Sequence, residues 1–262
     1  MHIASLGSSF ASGPSIPPQL PPPAARRSGA NYPSLVSRAL SATLTDLSAS
    51  GATLLNVLSE PQQTLQGTLP PQLEGLPADA DVVTITGGGN DLGYSAGMMG
   101  EAAGIVLGGE GGLLEALGLR GGVAAVGEKE AVERFVRVIE AVRARAPGAR
   151  IFLVEYLAVF GEETGVADDQ PLGSEAVERY RALAGVLGRV YRRAAERGGE
   201  RVEVVEISRM SEGHAVGTRE PWVVGFTEGL LMGGGAPYHP NAEGHKAVAR
   251  EVERRVRKAL EL

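Results

Sequence analysis

Short, almost uninterrupted apolar runs alternate along the chain with longer stretches in which hydrophobic residues return every three or four positions. The runs at 3–6, 43–47, 81–86, 150–155 and 202–207 are each closed off by Gly, Pro or polar residues. Runs so short and so tightly bounded predict buried strands rather than helices. Between them, Val132, Phe135, Val136, Ile139 and Val142 make one helical stripe that stops before Pro147-Gly148. Ala176, Tyr180, Leu183, Leu187, Val190 and Ala194 make a second, ending at Gly198-Gly199. Val248, Val252, Val256 and Leu260 make a third, opened by Pro240-Asn241 with Asn241 as its N-cap. A shorter helix at 34–40 joins the first two strands.

Strands that alternate with helices need crossover connections. The pattern therefore predicts an α/β fold: one doubly wound domain over 1–262, with about five mostly parallel strands covered on both faces. In such sheets ligands bind outside the carboxyl ends of the strands, so the loops after each strand are where chemistry is expected. Two segments exceed a minimal domain. Residues 13–25 are proline-rich, and 94–128 is a Gly/Ala-rich excursion holding Met98, Met99, Ile105, Val106 and Leu107. The second reads either as a lid or acyl-chain wall, or as an irregular cover for a sheet edge.

Composition narrows the class. The chain has 262 residues, 43% hydrophobic and 21% charged, which is globular composition and excludes wholesale disorder. Cysteine is absent, which excludes disulfides, a thiol nucleophile and thiolate metal sites. The 37 glycines have no three-residue period, so they serve turns and close packing. A net charge of −6 argues against a general nucleic-acid binder, which needs a basic face. No stretch is long and apolar enough to span a bilayer. The first predicted strand begins at once, with no cationic, apolar, cleavable leader, so a cytoplasmic protein is expected, or a secreted one if a leader was removed.

Glycines gather just after the predicted strands, and polar residues sit among them. Gly7-Ser8-Ser9 follows the first strand, Ser50-Gly51 the second and Gly87-Gly88-Gly89-Asn90-Asp91 the third. The last is neither a dinucleotide fingerprint nor a phosphate-binding loop, because Leu92 stands where a glycine is needed and no Gly-Lys-Ser/Thr follows. His239 lies between Tyr238 and Pro240 at the entrance of the final helix. Each feature alone reads equally as a turn. Together they offer a nucleophile (Ser9), oxyanion donors (the Ser9 and Gly51 N–H groups and the Asn90 amide) and a base (His239), all deliverable to one sheet edge. Metal binding by His239, Glu243 and His245 is the rival, but the six-residue spacing shares a helix face poorly and no third ligand is evident. No metal or cofactor is expected. His245 is read as a core histidine, and His2 and His214 as structural or exposed.

These blocks, in this order, resemble the SGNH, or GDSL, hydrolase superfamily. Gly7-Ser8-Ser9, Gly51, Gly88-Gly89-Asn90-Asp91 and His239-Pro240-Asn241 match its first, second, third and fifth blocks. The resemblance implies a three-layer α/β/α sandwich with a flavodoxin-like parallel sheet of about five strands. It also implies a cofactor-free carboxylic-ester hydrolase, of the esterase or lipase kind, acting on a small-molecule ester. Carbohydrate O-deacetylases and thioesterases share that fold and remain alternatives, as does a non-catalytic ligand-binding protein. Two positions depart from the family pattern. Ser8 replaces the usual Asp before the nucleophile, and Ala236 replaces the Asp expected three residues before the histidine. Three explanations follow: a Ser9–His239 dyad completed by a backbone carbonyl near 234–236, a carboxylate supplied from elsewhere by Glu228 or Glu243, or an inactive protein.

Tyr94, Trp222, Phe226 and Tyr238 are the aromatics expected to line the substrate pocket. Arg26 and Arg27 either meet an anionic group or are solvated surface residues. The proline-rich 17–23, with Pro18 and Pro21 at the spacing of a polyproline ligand, either docks a partner or shapes the cleft entrance. Chain length of the acyl group, the alcohol and the oligomeric state have no signature in the sequence.

Overall fold

The computed structural model describes residues 1–107, 124–233 and 235–262. In chain order the elements are β1 (His2–Gly7), α1 (Ser9–Ser12), β2 (Gln19–Leu20), β3 (Arg27–Ser28), α2 (Tyr32–Ala39), β4 (Thr43–Asp46) and α3 (Leu54–Leu58). They continue with β5 (Gln62–Thr64), β6 (Gly67–Leu69), β7 (Val82–Thr86), α4 (Tyr94–Val106), α5 (Glu128–Arg145), β8 (Arg150–Val154) and α6 (Ser174–Gly198). The last are β9 (Val202–Val205), α7 (Ile207–Met210), α8 (Glu228–Met232) and α9 (Ala242–Leu260).

Five strands form one parallel sheet in the order β4-β1-β7-β8-β9. The central strand β7, Val-Val-Thr-Ile-Thr, is buried at every position, as a strand covered on both faces must be. The edge strands β4 and β9 are only partly covered, and their sequences carry polar residues accordingly. Helices α2 and α9 pack against each other, while α5 packs with α6 and α3. The result is the three-layer α/β/α sandwich expected from the sequence.

Local chemistry explains where the helices start. Asn241 caps α9 by accepting from the Gly244 N–H at 2.9 Å, as predicted. Asn31 does the same for α2 through Ser34 N–H at 3.0 Å, and Thr53 with Asn56 forms a capping box at α3. On α6, Tyr191 is fully buried and its hydroxyl bonds both the N–H and the carbonyl of Gly87, at 3.0 and 2.9 Å. That contact fixes the point where the chain leaves β7.

The excursion at 94–128 is more regular than its Gly/Ala content suggested. Residues Tyr94–Val106 are helical, with Met98, Ala102 and Ala103 turned into the core. Residues 108–123, where a lid or acyl wall was expected, lie outside the described residues. The proline-rich stretch folds onto the body: β2 pairs antiparallel with β3, and Pro23–Ala25 makes a single 3₁₀ turn.

Candidate active site

The first strand ends at Gly7, where a remote side chain takes over from the sheet. The Gln72 amide accepts from Gly7 N–H at 2.7 Å and donates to Gly7 carbonyl at 2.9 Å. The Ser8 N–H then reaches across to the Thr86 carbonyl at 2.8 Å. Ser9 follows as the first residue of α1, so its own N–H belongs to the helical turn that has no internal acceptor. Ser8, which replaces the family's Asp, hydrogen-bonds the Tyr156 hydroxyl at 2.5 Å. The Tyr156 ring stacks on Phe10 with centroids 4.1 Å apart. An ordinary side chain at Gly89 would meet that ring at 2.6 Å, which is why the residue before Asn90 has no Cβ.

The second loop places Gly51 on the cleft in the left-handed region, φ +83°, a conformation that glycine adopts at little cost. Its neighbours are tied down: Ser50 N–H donates to the Ala25 carbonyl at 2.9 Å, and the Gln62 amide donates to the Ser50 carbonyl at 2.7 Å. In the third loop the Asn90 amide gives one proton to the Ala52 carbonyl at 2.9 Å, which orients the other. Asp91 is fully buried and accepts from Leu54 N–H and from Arg134, each at 2.9 Å. Burial raises its carboxyl pKa, and those two partners oppose the shift.

His239 is held by backbone pairing. Its carbonyl accepts from Val224 N–H at 2.9 Å, and the flanking Tyr238 and Asn241 N–H groups donate to Val224 and Trp222 carbonyls at 2.8 and 2.9 Å. The imidazole Nε2 lies 2.7 Å from Ser9 Oγ, and Nδ1 lies 2.7 Å from the Pro237 carbonyl. A carbonyl can only accept, so Nδ1 carries the proton and Nε2 accepts from the serine hydroxyl. Burial lowers the imidazole pKa from 6.5 to about 4; the Pro237 hydrogen bond opposes this and the positive charge of Arg26 adds to it.

Ser9, Gly51, Asn90 and His239 thus meet on one cleft of about 800 Å³, which Ala236 and Arg26 also line. The acceptor for Nδ1 is Pro237, one residue beyond the 234–236 segment expected. Glu228 is exposed, and Glu243 is exposed and paired with Lys246 at 2.7 Å, while His239 Nδ1 meets the Pro237 carbonyl. Among the described residues there is no group of three or more His, Asp or Glu side chains able to hold a metal.

The four aromatics expected in the pocket are not on this cleft. Tyr238 is buried, with φ +59°, and its hydroxyl donates to Gln170 at 2.9 Å. Phe226 is fully buried against the Tyr238 ring, at 5.8 Å between centroids. Trp222 stacks on His214 at 3.7 Å. Tyr94 is buried edge-on to Tyr156 and Tyr180. Three of them brace the histidine loop and the fourth anchors α4. Arg27 is likewise structural, bonding the Ser48 carbonyl at 2.9 Å beside Asp46. His245 is buried as expected, its Nδ1 accepting from Tyr32 N–H at 3.0 Å. Gln72, Tyr156 and the Pro237 carbonyl escaped the sequence reading because no local spacing marks them.

A parallel α/β/α sandwich carrying this serine–histidine cleft at the carboxyl edge of its sheet defines an SGNH-type hydrolase fold. Residues 5–247 match the GDSL-like Lipase/Acylhydrolase family, and the chain belongs to it. It is 32% identical over 264 residues to Lipase 2 of Streptomyces coelicolor, an alignment spanning 95% of this chain and 83% of that protein. Two solved structures share its fold. The extracellular lipase of Streptomyces rimosus superposes with TM-score 0.70 at 22% identity, covering 97% of this chain and 99% of that one. Phospholipase A1 of Streptomyces albidoflavus NA297 superposes with TM-score 0.73 at 24% identity, covering 97% and 98%. A carbohydrate esterase of Corynascus thermopiles is more distant, with TM-score 0.59 at 18% identity, covering 100% of this chain and 67% of that one. The chain is a carboxylic-ester hydrolase of the GDSL family. No helix among its described residues is long and apolar enough to cross a membrane.

Proposed function

We propose that the chain hydrolyses carboxylic esters through a Ser9–His239 dyad, with a backbone carbonyl in the place of the usual carboxylate. The observation that carries this reading is the continuous relay Ser9 Oγ, His239 Nε2, His239 Nδ1 and Pro237 carbonyl, with both links at 2.7 Å. A neutral imidazole so oriented is the correct tautomer for a general base. Ser9 Oγ attacks the acyl carbon while its proton passes to Nε2. The carbonyl oxygen becomes an oxyanion, held by the Ser9 and Gly51 N–H groups and the free proton of the Asn90 amide. The leaving alcohol takes the proton back from Nε2, and water then repeats the sequence on the acyl-enzyme. Removing one such oxyanion donor costs on the order of 2.7–4 kcal/mol of transition-state stabilisation.

The single domain over 1–262 is part of the same reading, since the sheet, the cleft and the final helix share one core. A cytoplasmic location draws no support from the relatives, one of which is described as extracellular. The decisive experiment is labelling with a fluorophosphonate beside hydrolysis of p-nitrophenyl acetate. The wild type is expected to label at Ser9 and turn over, and Ser9→Ala to do neither, with a rate loss of roughly 10⁴-fold or more. Near-wild-type hydrolysis by Ser9→Ala rejects the mechanism.

A further inference from the structure

Two adjacent residues of the third loop hold the second loop in place. The Asn90 amide donates to the Ala52 carbonyl at 2.9 Å, and the Asp91 carboxylate accepts from the Leu54 N–H at 2.9 Å. Ala52 closes a turn over Gly51, with its N–H on the Ala49 carbonyl at 3.2 Å. Leu54 opens α3 directly behind the Thr53 cap. The Gly51 turn and the Asn90 amide, both assigned to the oxyanion, therefore hang from one clasp, made by residues 90 and 91 on residues 52 and 54. The Asp91 carbonyl extends the clasp by accepting from Val126 N–H at 2.8 Å, just before α5.

The other oxygen of Asp91 meets a cation from the helical layer. Arg134, on α5, donates from Nη1 to Asp91 Oδ1 at 2.9 Å, and from Nε to Glu130 Oε1, one turn earlier, at 3.0 Å. The Asp91 side chain is wholly buried and that of Arg134 is 12% exposed, whereas Glu130 is half exposed. A planar guanidinium held by two carboxylates has little freedom to turn. A buried ion pair of this kind is a poor source of stability, because desolvating the charges offsets their attraction and apolar side chains of like size often serve as well. What apolar side chains lack is a fixed acceptor for the Leu54 N–H beside the residue that holds the oxyanion. Burial raises the Asp91 carboxyl pKa and the Arg134 contact opposes the rise, so the charge that grips Leu54 depends in part on Arg134.

We propose that Arg134 is a positioning residue for the oxyanion hole: through Asp91 it fixes the Asn90 amide and the Gly51 turn relative to Ser9. Neither Asp91 nor Arg134 lines the cleft, so the action is through the clasp and not on the substrate. The role rests on the hydrolase reading, since it concerns the oxyanion of that reaction.

The test reads the oxyanion hole apart from the amount of folded enzyme. Butylboronic acid forms a tetrahedral adduct with a serine hydroxyl, and its Ki against p-nitrophenyl acetate hydrolysis does not change with the fraction of enzyme that is active. Arg134→Gln is expected to raise this Ki about tenfold and to lower kcat/KM about tenfold to hundredfold, somewhat less than outright deletion of an oxyanion donor. Arg134→Lys keeps a cation on Asp91 and should leave Ki within about threefold of the wild type. Asp91→Asn should match Arg134→Gln, and the double variant should be no weaker than either single one, because both changes break one contact. The double variant also leaves no uncompensated buried charge, so its Ki decides the matter where Arg134→Gln fails to fold. A wild-type Ki in the folded variants overturns the proposal even if kcat falls, and so do losses that add in the double variant, which place the action of Arg134 elsewhere than Asp91. If the wild type neither hydrolyses the ester nor takes a fluorophosphonate label at Ser9, the hydrolase reading falls and the positioning role with it. An active wild type beside variants of unaltered Ki rejects the positioning role alone.

Discussion

A carbonyl oxygen orients an imidazole as well as a carboxylate does, but it carries only a partial charge and stabilises the imidazolium less. At His239 burial acts against protonation and outweighs the opposing Pro237 hydrogen bond, which leaves the pKa at about 4 rather than 6.5. The catalytic base must be neutral, so kcat/KM falls only when the solution drops through that lowered value. A pH-stat profile of ester hydrolysis from pH 3.5 to 8 is expected to place the acid inflection well below 6.5; an inflection at or above 6.5 contradicts this environment for His239. The same residue-scale logic covers the carboxylates. Glu228→Ala and Glu243→Ala should each leave kcat within about twofold, because neither side chain reaches Nδ1 in the structure. Loss of a true triad carboxylate costs about 10⁴-fold, so a large drop in either variant reveals a carboxylate partner that the Pro237 contact does not account for.

At the scale of elements, four loops carry the site, and each is fixed by a residue from another part of the chain. Gln72 does this for β1: its amide satisfies both the buried N–H and the carbonyl of Gly7, two residues before Ser9. Gln72→Ala strands both groups, and we expect a loss on the order of 1–3 kcal/mol in urea unfolding. A fall in kcat should accompany it as α1 loosens, while an unchanged urea midpoint shows that the Gly7 groups find other partners. Such braces explain which features were legible beforehand. Strands β1, β7 and β8 were readable because burial on both faces demands continuous apolar runs, and α5, α6 and α9 because one buried face imposes a period near 3.6. That Ser9, Gly51, Asn90 and His239 would gather on one cleft was legible because each lies in a connection that follows a sheet strand or precedes a helix. The aromatics were misplaced for a physical reason: proximity in sequence to His239 does not say on which side of the loop a ring packs, and Trp222, Phe226 and Tyr238 pack behind it. Gln72 and Tyr156 act across 65 and 148 residues, beyond any local pattern.

At the scale of the whole molecule, the two buried histidines tie the catalytic arrangement to acid stability. His239 has its pKa lowered to about 4, and His245 to about 3, burial being the leading cause for both and mutual repulsion a further one for His245. In the unfolded chain each titrates near 6.5. Above 6.5 both states are neutral and the histidines leave stability at its full value. As pH falls from 6.5 towards 4 and then 3, the unfolded chain takes up protons that the folded one refuses, so stability is lost through that window. The two contributions together are on the order of several kcal/mol by pH 3, which is a sizeable part of the total for one domain. Asp46, Asp91 and Glu155 work in the opposite direction, since burial raises their carboxyl pKa values and favours the folded state on acidification. A bare pH–stability curve mixes the two signs, but a variant separates them. His245→Asn retains an acceptor for the Tyr32 N–H, which the imidazole takes at 3.0 Å, and removes one titrating group. Urea unfolding at pH 7.0 and 4.5 should show a smaller loss on acidification for His245→Asn than for the wild type. Equal losses would mean that His245 titrates alike in both states, and that the acid loss arises at His239 and other groups.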